Sequence, residues 1–346
     1  MDAYRAAPKN RKRTGATTIM STKPLQHLTK NAPSWAGEME SMLDAYKQAG
    51  GNPNDLNSPE VATLVVSGNE VLGSHSIPGV HLKATPIDNG VRAYISVDPG
   101  VLVERPVHLC FGVIPAEGIQ QIEAEYDIGE EAHVQFLAHC SFPNAVKVTH
   151  NMIANIHIGR NASLIYTEEH YHGQTGGIEI HPVSKINIEE GGKFTSNFVL
   201  TRGRIGFLDL DYDVIAGKDT IVELVTKAIG SGDDRVKVME YVRLNGENAR
   251  GLAKSRVAVK GQASSEVNTT TEGNAAGARG HMDCTEVISD QATASNNPLV
   301  WVTHPKAQVT HEAAIGTVNQ KEMETLMARG LDEEEAVDLI IRAMIR

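Results

Sequence analysis

Cysteines, aromatic residues and long apolar runs are all scarce in this chain. Cys110, Cys140 and Cys284 are its three cysteines among 346 residues, and no two form a CxxC pair. That set argues against a disulfide framework, and a reducing compartment is the default. Aromatics make up 5% of the chain, so stacking platforms for bases or sugars are few. No run approaches the ~18 apolar residues of a membrane span. Positive charge is in deficit, with 32 Lys and Arg against 43 Asp and Glu and a net charge of −11. A surface of that sign repels phosphate backbones, which argues against binding to nucleic acid or anionic membranes. The GxxxxGK[ST], GxSxG, HExxH and GxGxxG patterns are missing, so the chain carries no ATPase motif of its own. Lys9, Arg11, Lys12 and Arg13 stand near the start with no apolar stretch after them, unlike a secretory signal. The expectation is a cytoplasmic protein with a flexible tail over 1–34, in which Met20 offers a second plausible start.

What is abundant is short β-strand pattern. After a mixed segment over 35–106, the region 107–305 reads as strand after strand, as in AHVQFLAH, NMIANIHI, SKINIEE and RVKVMEYVRL. Gly129, Gly159, Gly191, Gly217 and Gly246 mark a loose repeat at intervals of 26 to 32 residues. A repeat of strands and turns alone points to a stacked parallel β-helix, or β-solenoid, whose rungs contact only their neighbours. A large antiparallel sandwich also has short strands at regular spacing. Residues 35–48 read as a helix, with Met39, Met42, Leu43 and Tyr46 on one stripe. The C-terminal segment 306–346 is expected to be helical, with helices over 319–330 and 331–346. Gly330 closes the first, and Asp332 caps the second.

Candidate chemistry gathers in 279–317, which holds Cys284, His304, His311 and Glu312. Thiolate, imidazole and carboxylate together suit iron or zinc. A second constellation is Glu168, His170 and His172, whose i, i+2, i+4 spacing puts all three on one strand face. The bland reading of that face is a solvated outer surface. Cys140 is expected to pack inward and His139 outward. Asp209, Asp211 and Asp213 alternate along one strand and read as solvated surface.

The stretch THEAAIGTVNQKEMETLMARGLDEEEAVDLI resembles the C-terminal signature of the SufB/SufD family of iron–sulfur cluster assembly scaffolds. The resemblance covers about 279–346, and the β-rich part agrees in kind. It implies a right-handed parallel β-helix flanked by helical segments. It further implies that Cys284, in HMDCTEV, accepts sulfur and holds a nascent, transient iron–sulfur cluster. Glu312 falls where SufB-type members keep a glutamate, and His311 where SufD-type members keep an interface histidine. The implied partners are a SufC-type ABC ATPase docked on the C-terminal helices and a second scaffold chain, in a homodimer or a paralogue heterodimer. Two other readings stand beside it: a β-helix polysaccharide-active enzyme, and a purely structural subunit of the assembly complex.

Overall fold

The computed structural model describes residues 33–345; most of the tail expected over 1–34 lies outside the described residues. Helix α1 (Pro33–Gln48) and the single turn α2 (Pro53–Leu56) come first. Strands β1 (Thr63–Ser67), β2 (Glu70–His75), β3 (Val80–Ile87) and β4 (Gly90–Val97) follow. Next come β5 (Val107–Gly112), β6 (Glu117–Ile128), β7 (His133–Phe142), β8 (Lys147–Ile158) and β9 (Ser163–His172). The middle of the stack is β10 (Ile178–Ile188), β11 (Lys193–Leu200), β12 (Phe207–Ala216), β13 (Ile221–Gly230) and β14 (Arg235–Leu244). It closes with β15 (Arg250–Val259), β16 (Ser264–Gly273), β17 (Arg279–Ile288), β18 (Thr293–Val302) and β19 (Gln308–Thr317). Helices α3 (Gln320–Met327) and α4 (Glu333–Met344) end the described chain.

From β4 onward the strands are dealt alternately to two sheets, and all pairings there are parallel. Odd strands β5 to β19 form one sheet with β1 and β2, and even strands β4 to β18 form the other with β3. Each turn of the chain adds one strand to each sheet, giving about eight turns of solenoid. The parallel β-helix reading holds, and the sandwich alternative falls with the parallel register. Strand β19 carries the stack past residue 305, into the segment expected to be helical.

Alternation decides what lies inside. In β12, Leu208, Leu210, Tyr212, Val214 and Ala216 point into the stack, while Asp209, Asp211 and Asp213 stay partly exposed outside. Those aspartates face cations one turn on, Lys237 against Asp209 at 3.4 Å and Arg243 against Asp213.

The repeat seen in the glycines has its cause at the corners. Asn161, Gly191, Asp219, Asn248 and Gly277 stack one above another, each with φ between 54° and 73°. Residues that tolerate the left-handed region dominate there, so Gly, Asn and Asp recur, and Glu131 holds φ 58° at the same corner one turn before Asn161. The preceding corner position is crowded: a Cβ on Gly246 would lie 2.0 Å from the Gly217 carbonyl carbon.

Both helical ends pack on the outer face of the odd-strand sheet. Met39, Met42 and Tyr46 of α1 cover Val65 and Cys110, and the Tyr46 hydroxyl bonds His108 Nδ1 at 2.7 Å. Helix α1 also covers His139, whose ring lies 4.6 Å from that of Tyr46. The outward expectation for His139 is corrected in consequence: it does leave the stack interior, but it is buried beneath the helix. At the other end Ile341 and Ile345 pack on Ala258 and Val287.

Candidate functional site

Cys284 sits in β17, whose interior residues are Met282, Cys284 and Glu286. It is 1% exposed. Its thiol lies 3.6 Å from the Thr269 hydroxyl of β16. Burial pushes the Cys284 thiol up, opposed by hydrogen bonds from Ser255 and Thr269. It therefore rests protonated, and a bound metal would favour the thiolate.

Strand β19 lies on β17 in the register Met282–His311, Asp283–Glu312 and Cys284–Ala313. Register partners in a parallel sheet point to the same face. His311 therefore shares the interior face with Cys284, whereas Glu312 stands on the reverse face above Asp283. The Asp283 carboxylate is held there by Arg256 at 2.5 Å. His304 lies in the corner between β18 and β19, where its Nδ1 accepts the Lys306 amide at 3.1 Å. The structure thus brings Cys284 and His311 to one face, and leaves Glu312 and His304 off it.

Among the described residues, no further turn covers the last one. Ile315, of interior parity over Glu286, is 47% exposed, and Val302 over Gly273 is 45% exposed. Strands β18 and β19 are the terminal members of their sheets, so each presents one unpaired edge.

The second constellation is where the structure departs most from a solvated surface. Glu168, His170 and His172 face inward and are at most 3% exposed. Leu164 and Tyr166 share their parity and set the strand's buried face, leaving Glu169 and Tyr171 outside. Cys140 is the register partner of His170. Its Sγ lies 3.9 Å from Glu168 Oε1, and His170 Nε2 lies 2.7 Å from the same oxygen. These three are a group of donors able to hold a metal ion, and Cys140 is the member that the spacing along one strand does not reveal.

Between the two clusters the core carries a polar seam. Glu168, Phe198, Thr226, Ser255 and Cys284 are successive register partners on one sheet. Ser184, Tyr212, Glu240 and Thr269 are successive partners on the other. Thr226 donates to Glu240 Oε1 at 2.7 Å across the stack, and Ser265 donates to Glu286. Burial pushes Glu168, Glu240 and Glu286 each up to about 7. Near neutral pH these carboxyls are therefore in part protonated. Nothing in the strand patterning marks the seam except single polar residues at core parity.

A pH-dependent stability follows. Below the unfolded value of 4.5 Glu240 is protonated in both states, and its burial carries no ionic penalty. As pH rises toward about 7, the unfolded chain gives up the proton that the folded chain keeps, and stability falls. Glu240→Gln cannot ionise. Its unfolding free energy should match the parent at about pH 4 and exceed it at about pH 8, by up to ~3 kcal/mol. A difference independent of pH would refute the assignment.

A helix-capped parallel β-solenoid, with Cys140 and Cys284 held inside the stack and an open final turn, is the class that fold and site define. Residues 117–344 match the family model described as SUF system FeS cluster assembly, SufBD core domain. An iron–sulfur cluster assembly SufBD family protein of Methanocaldococcus jannaschii is 38% identical over 89% of this chain and 98% of its own length. One from Pyrococcus horikoshii is 33% identical over 89% of this chain and 94% of its own. The iron–sulfur cluster assembly protein SufB of Bacillus subtilis is 24% identical over 78% of this chain and 59% of its own. The chain belongs to the SufB/SufD family of iron–sulfur cluster assembly proteins. That membership sets aside the polysaccharide-active alternative.

Proposed function

We propose that the chain is a scaffold that holds a nascent iron–sulfur cluster at the open end of its solenoid, with Cys284 as the thiolate and His311 beside it. The cluster is cargo. The observation that carries this reading is the uncovered last turn, where core-parity Ile315 and Val302 meet solvent one rung above a buried thiol. Solenoids need capped ends to stay soluble. A second SufB/SufD-type chain, the same or a paralogue, supplies that cap by pairing along the free edges of β18 and β19. Glu312, on the reverse face of β19, then contributes from the seam between chains. A site with few thiolates and some N and O donors can release its cluster, as an assembly scaffold must. Ile315→Asp tests the cap: it should convert dimer to monomer in sedimentation equilibrium, and an unchanged mass would sink the reading.

The energy source in this reading is a SufC-type ABC ATPase docked on α3 and α4. Met323, Ala336 and Ile340 bury the contact between these helices, and Ile341 and Ile345 fix α4 to the solenoid. Leu339 and Met344 remain 49% and 42% exposed, beside Leu326 in a groove on the far side. Leu339→Asp with Met344→Asp leaves the buried contacts alone. It should weaken ATPase binding at least about tenfold, or ~1.4 kcal/mol, in a titration calorimeter. Undiminished binding would move the docking surface elsewhere.

A further inference from the structure

The Cys140, Glu168 and His170 cluster lies four to five rungs from Cys284 along the odd-strand sheet, about 19 to 24 Å at the usual strand spacing. It is therefore separate from the open end. Its hydrogen bonds fix the direction of every ring nitrogen. His172 Nδ1 faces the Arg204 carbonyl at 3.0 Å and must donate to it. In a neutral ring that leaves His172 Nε2 as an acceptor, so His170 Nδ1, 3.3 Å away, donates. His170 Nε2 then carries a lone pair aimed at Glu168 Oε1 only 2.7 Å away. Two acceptors that close need a positive centre on or between them, either a proton or a metal ion. The thiol of Cys140 converges on the same oxygen.

A second observation points to the same place. His150, on the opposite sheet, is fully buried, and neither of its ring nitrogens has a partner. Its ring centroid is 6.4 Å from that of His170. An unpartnered imidazole in a core is costly, and this one supplies a fourth candidate donor. Phe142 and Phe198 wall the cluster, with ring centroids 6.4 and 5.0 Å from His170.

We propose that Cys140, Glu168 and His170 form an internal binding site for one divalent zinc or ferrous ion, resident in the solenoid and distinct from the cargo site. Thiolate, imidazole and carboxylate are the donors such ions take in tetrahedral geometry. Thiolate and carboxylate together carry two negative charges, which neutralise a divalent ion in a dry core. Loading releases two protons to solvent, that of the Cys140 thiol and the one shared between Glu168 and His170. His172 holds the far nitrogen of His170, the outer contact that orients a ligating imidazole.

The test uses the full chain, made in zinc-supplemented and in iron-supplemented cultures and purified anaerobically without chelator. Metal content is counted, and X-ray absorption is read at the zinc and iron edges. The expected result is close to one ion per chain in one or both cultures, with a single sulfur neighbour at ~2.3 Å for zinc. The Cys140→Ser and Glu168→Gln variants should each lose most of that metal, while Cys284→Ser keeps it. Glu168→Gln is nearly isosteric and decides the matter if Cys140→Ser fails to fold, with far-ultraviolet dichroism as the control. Metal absent from both cultures would overturn the proposal. So would metal lost in Cys284→Ser and kept in Cys140→Ser, which would place the ion at the open end.

Discussion

Cys284→Ser is expected to abolish cluster formation while leaving the fold intact. Anaerobic reconstitution with iron, sulfide and a SufC-type ATPase should give the parent a cluster visible by absorbance and Mössbauer spectroscopy. The variant should show at least about a tenfold loss, because a hard alcohol oxygen replaces the soft sulfur ligand. Serine fits the site: Thr269 at 3.6 Å and Ser255 already surround the thiol with hydroxyls. Cys110→Ser should change little, because Cys110 lies under α1 on the outer face, on the opposite side of the sheet from Cys140 and six rungs from Cys284. A full cluster on the Cys284→Ser chain would turn the chain into a structural subunit of the assembly complex.

The largest loss of stability is expected from Asp234→Ala. This carboxylate is 1% exposed and ties two successive turns together. It accepts the amides of Ser231 at 2.8 Å, Gly206 at 2.9 Å and Ile205 at 3.0 Å, as well as the Arg204 guanidinium at 2.9 Å. Alanine strands three amides at a corner and leaves Arg204 with only the exposed Asp233. At 1–3 kcal/mol for each buried group left unpaired, the total cost is about 3 kcal/mol or more. Denaturant midpoints measure it. A change below ~1 kcal/mol would mean that water replaces the carboxylate at little cost.

Most of the architecture was legible because a solenoid writes its period into the chain. The left-handed corner residues recur once per turn, and the strands alternate cleanly between apolar and polar. The limits came from what a period does not say. Glu168, His170 and His172 read as surface by residue type, yet Leu164 and Tyr166 at the same parity fix that face as the interior. His139 leaves the stack as alternation requires, but burial depended on a helix nearly 100 residues earlier in the chain, at Tyr46. The relation of Cys284 to Glu312 turned on a single residue. The turn here pairs Cys284 with Ala313, so Glu312, one short of a full turn, falls on the opposite face. The C-terminal helices were marked by their caps, and Asp332 with Glu335 forms the reciprocal capping box.

The uncovered final turn also has a kinetic meaning. In a stack bonded only to nearest neighbours, opening proceeds from whichever end is least held. The first turns are clamped by two antiparallel strand pairs and by α1, whereas β18 and β19 each lean on one neighbour in their own sheet. Amide hydrogens of 293–317 should therefore exchange first in the isolated chain, and slow when a second chain docks. Fraying at that end would uncover Cys284 from its buried resting place without disturbing the turns beneath it. Exposure of the thiol would then be governed by assembly and disassembly of the complex.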